Sequence, residues 1–282
     1  MNEIPASLKK YLNSDTTLLT LLALMDLSVS YPDEQGFSTS QISEIYKHLH
    51  PVAGKKKFYP SYLQRHTRDR GLFREEAGLY SLNTDYLGDD ILKHYSEIRS
   101  AITGKLDQGS LKTEQLISEI EQLCIAPPAT EKLLEYIIKL LRDEALLPNY
   151  GQLFEVAAYA ILKVYFRRFN FELKRFSTSF ANDGGMDYIA EQGIYQVTTA
   201  ATRSKLNSDL EKLPGVDRVM VVTRFPESAE ELLADENIRE IIALDDLAGH
   251  FLPWLALRKE RGHSALVSVL MVFLEELRRD LE

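Results

Sequence analysis

Cysteine is nearly absent. Cys124 is the single one among 282 residues, so no disulfide can close within the chain, which fits a reducing compartment. Positive charge is in deficit. The net charge of −9 sets the overall field against indiscriminate polyanion binding, while leaving room for a local basic surface. Long apolar runs are missing: none approaches the roughly 20 residues a membrane helix needs, and no charged-then-apolar signal segment opens the sequence. A soluble, cytoplasmic protein without a membrane partner is expected. Internal repeats and low-complexity tracts are absent too. What the chain has is apolar mass, 45% of its residues, enough for a sizeable core divided over two domains.

Residues 1–85 read as three helices and a hairpin. TLLTLLALMDLSV has the apolar density of a core helix, ended by Tyr31-Pro32-Asp33. Ser38-Thr39 caps a second helix with Ile42, Ile45 and Leu49 at helical spacing. Pro60 opens a third, PSYLQRHTRDRG, which Gly71 ends. LFREEAGLYSLN then has hairpin chemistry. The order resembles a winged helix-turn-helix domain. Lys55, Lys56, Lys57, Arg65, Arg68 and Arg70 stand against the single Asp69 between Pro51 and Arg70. Tyr62, Gln64, Arg65 and Arg68 would project from the third helix. Arginine and glutamine suit guanine and adenine edges, and the lysines suit phosphates. Contact with double-stranded DNA is expected, against the plainer reading of a solvated basic face.

Residues 86–149 carry little chemistry. Three amphipathic helical stretches, broken at Asp107-Gln108-Gly109 and Pro127-Pro128, read as a linker or a dimer surface.

Residues 150–282 alternate helix and strand. A buried stripe of Leu153, Val156, Ala157, Ala160, Ile161 and Val164 marks a helix with Glu155 off the stripe. FNFELKRFS, MDYIAE and IYQVTT read as strands, the last two joined at Glu191-Gln192-Gly193. TRSKLNSDLEKL is helical, DRVMVVTR is a doubly covered strand, and REIIALD offers another. The class is an α/β sandwich.

Gly151 with Phe154-Glu155, Gly184-Gly185-x-Asp187 and Tyr195-Gln196-Val197 together resemble the PD-(D/E)XK nuclease superfamily, in its Mrr-like restriction branch, where Gln replaces the second acid. The likeness spans Gly151 to Arg224. It implies a restriction-endonuclease-like α/β/α core and Mg2+-dependent DNA endonuclease activity. Members of that branch commonly carry a DNA-binding domain, which fits the N-terminal pattern.

The chemistry is intelligible from the residues. Phosphodiester hydrolysis needs an activated water and a counter-charge on phosphorus, and Mg2+ supplies both with one or two carboxylates, a carbonyl and its own waters. Asp187 is the expected central ligand, with the Gln196 side-chain oxygen, the Val197 carbonyl and Glu155, which would orient a metal-bound water; Mn2+ can substitute. Singly, each residue has a dull reading: a hairpin Asp, a helix-terminal Glu, an exposed strand Gln.

A lysine is expected two positions after Gln196, and Thr198 stands there. Threonine brings no positive charge to the transition state. Lys205, in the first turn of the next helix, has the reach to replace it; the alternative is lost catalysis and a DNA-binding regulator, and a nuclease-like domain acting on RNA is a third reading. The apolar C-terminal run SALVSVLMVFLEELRRDL is buried against the sheet or shared in a homodimer. His250 and His263 lack metal-ligand spacing and read as surface residues.

Overall fold

The computed structural model describes residues 15–51, 53, 58, 60–68, 71–143, 150–176, 186–191, 193–199, 202–227, 229–257 and 261–281. The chain divides into two compact units, Met1–Thr113 and Glu114–Glu282.

The first unit is built round α1 (Asp15–Ser30), buried on nearly every side. Helices α2 (Thr39–His48) and α3 (Pro60–Arg68) pack on it. A capping box starts α2: Gln41 N–H donates to Ser38 Oγ at 3.4 Å, and Ser38 N–H donates to Gln41 Oε1 at 2.9 Å. Strands β1 (Phe73–Glu76) and β2 (Leu79–Leu82) form the expected hairpin. Its two-residue turn, Ala77-Gly78, has φ of 51° and 80°, the positive values that match the twist of the flanking strands. Phe37, just before α2, exchanges both backbone hydrogen bonds with Tyr80 at 2.9 Å, a one-residue third strand.

The stretch 86–149 departs from three short helices. Helix α4 (Tyr95–Ile125) runs unbroken through Asp107-Gln108-Gly109. A glycine costs a helix only about 1 kcal/mol, and Leu106 and Leu116, both buried, offset that on either side. Nor is the stretch only a spacer. Ile98, Ile102 and Leu106 belong to the first unit's core, and Leu116 and Ile120, with Leu133, Ile137 and Leu140 of α5 (Thr130–Arg142), belong to the second's.

The second unit is a five-stranded mixed sheet covered on both faces. After α6 (Tyr150–Arg167) come β3 (Lys174–Arg175), β4 (Tyr188–Ala190), β5 (Gly193–Thr198), α7 (Arg203–Lys212), β6 (Arg218–Val222), α8 (Ala229–Leu233) and β7 (Ile238–Ala243). The strands lie in chain order, β3 and β4 antiparallel to their neighbours and β5, β6 and β7 parallel. Among its described residues, FNFELKRFS yields only Lys174–Arg175 as strand, β3. One face carries α6, α5, α9 (Leu252–Ala256) and α10 (Gly262–Leu281) over Tyr188, Tyr195, Val221 and Ile242. The other carries α7 and α8 over Met220, Val222 and Ile241. Alternation along each strand sends successive side chains to opposite faces. Gly193 makes the β4–β5 turn possible: with φ of +139°, an added Cβ would sit 2.6 Å from the Asp217 carbonyl oxygen. The apolar C-terminal run is α10, packed on α6 and α5.

Candidate functional site

Asp187 immediately precedes β4, and its Oδ2 accepts the Val197 N–H at 2.6 Å. The side chain thus extends the edge of β4, whose first residue is Tyr188, along β5. In a strand, the N–H and C=O of one residue point to the same side. The Val197 carbonyl therefore faces the flank on which the Asp187 carboxylate lies.

Gln196 and Glu155 are engaged elsewhere, on opposite faces of the sheet. Gln196 is 1% exposed. Its Nε2 donates to Asp209 Oδ2 on α7, and its Oε1 accepts from Arg218 Nη1 at 3.4 Å. The fully buried Arg218 also donates through Nη2 to the carbonyls of Asp209 at 2.9 Å and Leu213 at 3.4 Å. Burial lowers the pKa of Arg218, and the Asp209 carboxylate opposes that shift.

Glu155 belongs to the α6 face. The Tyr188 hydroxyl donates to its backbone carbonyl, and its carboxylate accepts Arg175 of β3. Arg175 also donates to Asp280, at 2.8 Å through Nη1 and 2.7 Å through Nη2, and to Glu276 at 3.3 Å, both on α10. Burial would lower the pKa of this arginine, but Asp280 and Glu155 hold it well above its ordinary value. Lys163 and Arg279 reach Glu276 from the outside. Glu155 was expected off the buried stripe; it is 7% exposed, because Arg175 satisfies its charge inside the unit. That Tyr195 stacks on Tyr188 at 6.4 Å on this same face places its neighbour Gln196 on the other.

Lys205 lies in the first turn of α7. It is four residues, one turn, before Asp209, and α7 runs back from the β5 end that carries Thr198. Its backbone is thus one turn from the Gln196 contact towards Thr198, which is itself buried. Its side chain, and Gly184 and Gly185, lie outside the described residues.

Mg2+ takes one or two carboxylates, a carbonyl and waters, and Asp187 with the Val197 carbonyl fits that demand. Among the described residues no three His, Cys, Asp or Glu groups converge so as to hold a metal ion. On α3, Gln64 is exposed. The side chains of Tyr62, Arg65 and Arg68, and residues Lys55, Lys56, Lys57 and Arg70, lie outside the described part. His250 is exposed and His263 half-buried, bonded to the Pro128 carbonyl at 2.9 Å.

Sequence reasoning missed Arg175, Asp209, Arg218, Glu276 and Asp280. The available signal was charge inside apolar patterns: Arg218 opens RVMVV, and Glu276 and Asp280 fall four apart on α10. Among the described residues no helix is long and apolar enough to cross a membrane. Compared with protein-family models, curated proteins and solved structures, the chain finds no match.

Proposed function

We propose that this chain is a Mg2+-dependent DNA endonuclease of restriction or phage-defence type, with a PD-(D/E)XK-like C-terminal domain and an N-terminal winged helix that holds duplex DNA. The observation that carries the reading is the placement of the Asp187 carboxylate against Val197, which pairs a carboxylate and a strand carbonyl beside Gln196. When bound, Mg2+ supplies an activated water and counter-charge for phosphorus. The protein's own part is to hold Asp187 in place through the Val197 N–H and to carry Lys205 in the first turn of α7, one turn before Asp209. Support for the N-terminal half is the order helix, single-residue strand at Phe37, helix, helix, hairpin, the order of a winged helix. A homodimer is part of the proposal, because cutting both strands generally calls for two active sites.

A second reading is a nuclease-like domain that binds DNA without cutting it. It is favoured by Thr198 in the lysine position and by Glu155, whose carboxylate is bound to Arg175. One experiment separates the two. Purified protein is incubated with plasmid and phage DNA, unmodified and methylated, plus Mg2+ or Mn2+, beside Asp187→Ala. Cutting by the wild type that Asp187→Ala loses supports the nuclease. Binding without cutting on every substrate sinks it in favour of the second reading.

A further inference from the structure

We propose that the C-terminal unit holds a second site, a pocket for a small organic ammonium ion. A cavity of about 330 Å3 opens between the end of α6, strand β7 and the helical segment after it. Three aromatic rings line it, those of Tyr165, Phe166 and Phe251, together with Glu240, Asp246 and His250. Among the described residues, no lysine or arginine does. The volume is at the small end of ligand pockets, which begin at roughly 300 Å3.

The lining selects the ligand's chemistry. Two carboxylates give the cavity a negative potential, and ring faces attract a cation further, best when it is weakly hydrated. One oxygen of Asp246 is used within the protein, where Oδ2 accepts the Ala243 N–H at 2.7 Å. Glu240 makes no hydrogen bond or ion pair among the described residues; its charge is felt by Tyr195, whose pKa burial pushes up to about 12 with Glu240 adding to the shift. A metal ion does not suit the site. Glu240, Asp246 and His250 form no metal-holding group, so their charges are spread over a volume wider than one ion. An alkylammonium with an apolar body matches both halves of the lining.

The backbone is shaped for this cavity. Residues Leu247–Phe251 form a single π turn, with the Leu252 N–H donating to the Leu247 carbonyl. Such turns are rare and concentrate at functional sites. The wider turn brings two consecutive side chains, His250 and Phe251, to one cavity. Behind them Tyr165 packs edge-on against Phe251 at 4.7 Å and Trp254 at 4.9 Å, which fixes the rings in advance. The site makes no use of Asp187 or α7, so it stands apart from the nuclease reading.

The test uses choline as probe and 3,3-dimethylbutan-1-ol, its uncharged isostere, as control. The full chain is titrated by calorimetry and by fluorescence of Trp254, the chain's single tryptophan. Choline is expected to bind saturably, and the alcohol about tenfold or more weakly, the effect of about 1.4 kcal/mol lost. Glu240→Gln should weaken choline by a similar factor, and Glu240→Lys should abolish binding by placing an ammonium in the cavity. Both variants should melt as the wild type does. Asp187→Ala should bind choline unchanged, which separates this site from the nuclease centre. Absence of saturable choline binding, equal binding of the alcohol, or unchanged affinity in Glu240→Gln would each overturn the proposal.

Discussion

Arg175 closes on Glu155 with two nitrogens at one oxygen: Nε lies 2.8 Å and Nη2 2.7 Å from Oε1. The arginine side chain has no exposed surface, so this contact is a buried charge pair whose members depend on each other. It ties α6 to β3, and through Asp280 and Glu276 it ties both to α10.

Removing the cation should therefore be severe. Arg175→Met leaves Glu155, Glu276 and Asp280 without their shared buried counter-charge, and loss of one partner of such a pair costs about 3–5 kcal/mol. Urea unfolding measures it. A loss below about 1 kcal/mol would mean that Lys163 and Arg279 compensate the carboxylates on their own.

Asp187→Asn should separate charge from structure. Asparagine keeps an oxygen to accept the Val197 N–H, so unfolding free energy should move by less than about 1 kcal/mol. The stabilisation by Mg2+ in a melting curve, which follows the metal's preference for the folded state, should disappear, as should cutting. Removal of Mg2+ with chelator should likewise stop cutting in the wild type.

Lys205 should matter to rate and little to binding. Lys205→Ala is expected to lower kcat about 100-fold, the scale for losing one transition-state charge partner, with DNA affinity nearly unchanged. Equal cutting by the variant removes Lys205 from the mechanism.

For the first unit, the check is salt. Replacing Lys55, Lys56 and Lys57 by Ala should weaken DNA binding uniformly across sequences. It should also reduce the slope of log K against log salt by about one for each lost phosphate contact. Gln64→Ala should instead alter sequence preference. An unchanged slope would exclude these lysines from the interface.

Alkaline pH should destabilise the C-terminal unit. Burial raises the pKa of Tyr136 and Tyr188, and that of Tyr195 to about 12. Below pH 10 these groups are protonated in both states and contribute no slope. Above it the unfolded chain loses protons that the folded one keeps, so stability falls with rising pH by up to about 1.4 kcal/mol per unit for each tyrosine. Urea midpoints between pH 8 and 11.5 measure this, and Tyr195→Phe should make the decline shallower.

The legible parts of the fold were those governed by local rules. The Ser38 cap of α2, the turn at Ala77-Gly78 and the strand REIIALD, seen as β7, follow from side-chain chemistry and periodicity. That Asp187 and Val197 lie close was legible from the strand order, though the bond of the Asp187 carboxylate to the Val197 N–H was not. Glu155 was not. Its neighbours in the chain mark a helix, but its partner Arg175 is 20 residues away and Asp280 a further 105 beyond Arg175. The same holds for Gln196, whose amide is claimed by Asp209 and Arg218 across the β5–α7–β6 crossover. Long-range pairing of buried charge leaves no periodic trace, since any acid or base at either place reads as surface.

The Gln196, Asp209 and Arg218 set has a bearing on alignment of the sheet. β5 and β6 pair in parallel, Ile194 with Arg218 and Gln196 with Met220, and the apolar Ile194, Tyr195 and Val197 on one strand and Val219, Met220, Val221 and Val222 on the other would tolerate sliding. A slip of β6 by one residue would turn Arg218 to the face opposite Gln196 and leave its contacts with Gln196 and Asp209 unmade at buried positions. The polar set thus works as a key that admits a single alignment of two otherwise interchangeable hydrophobic strands.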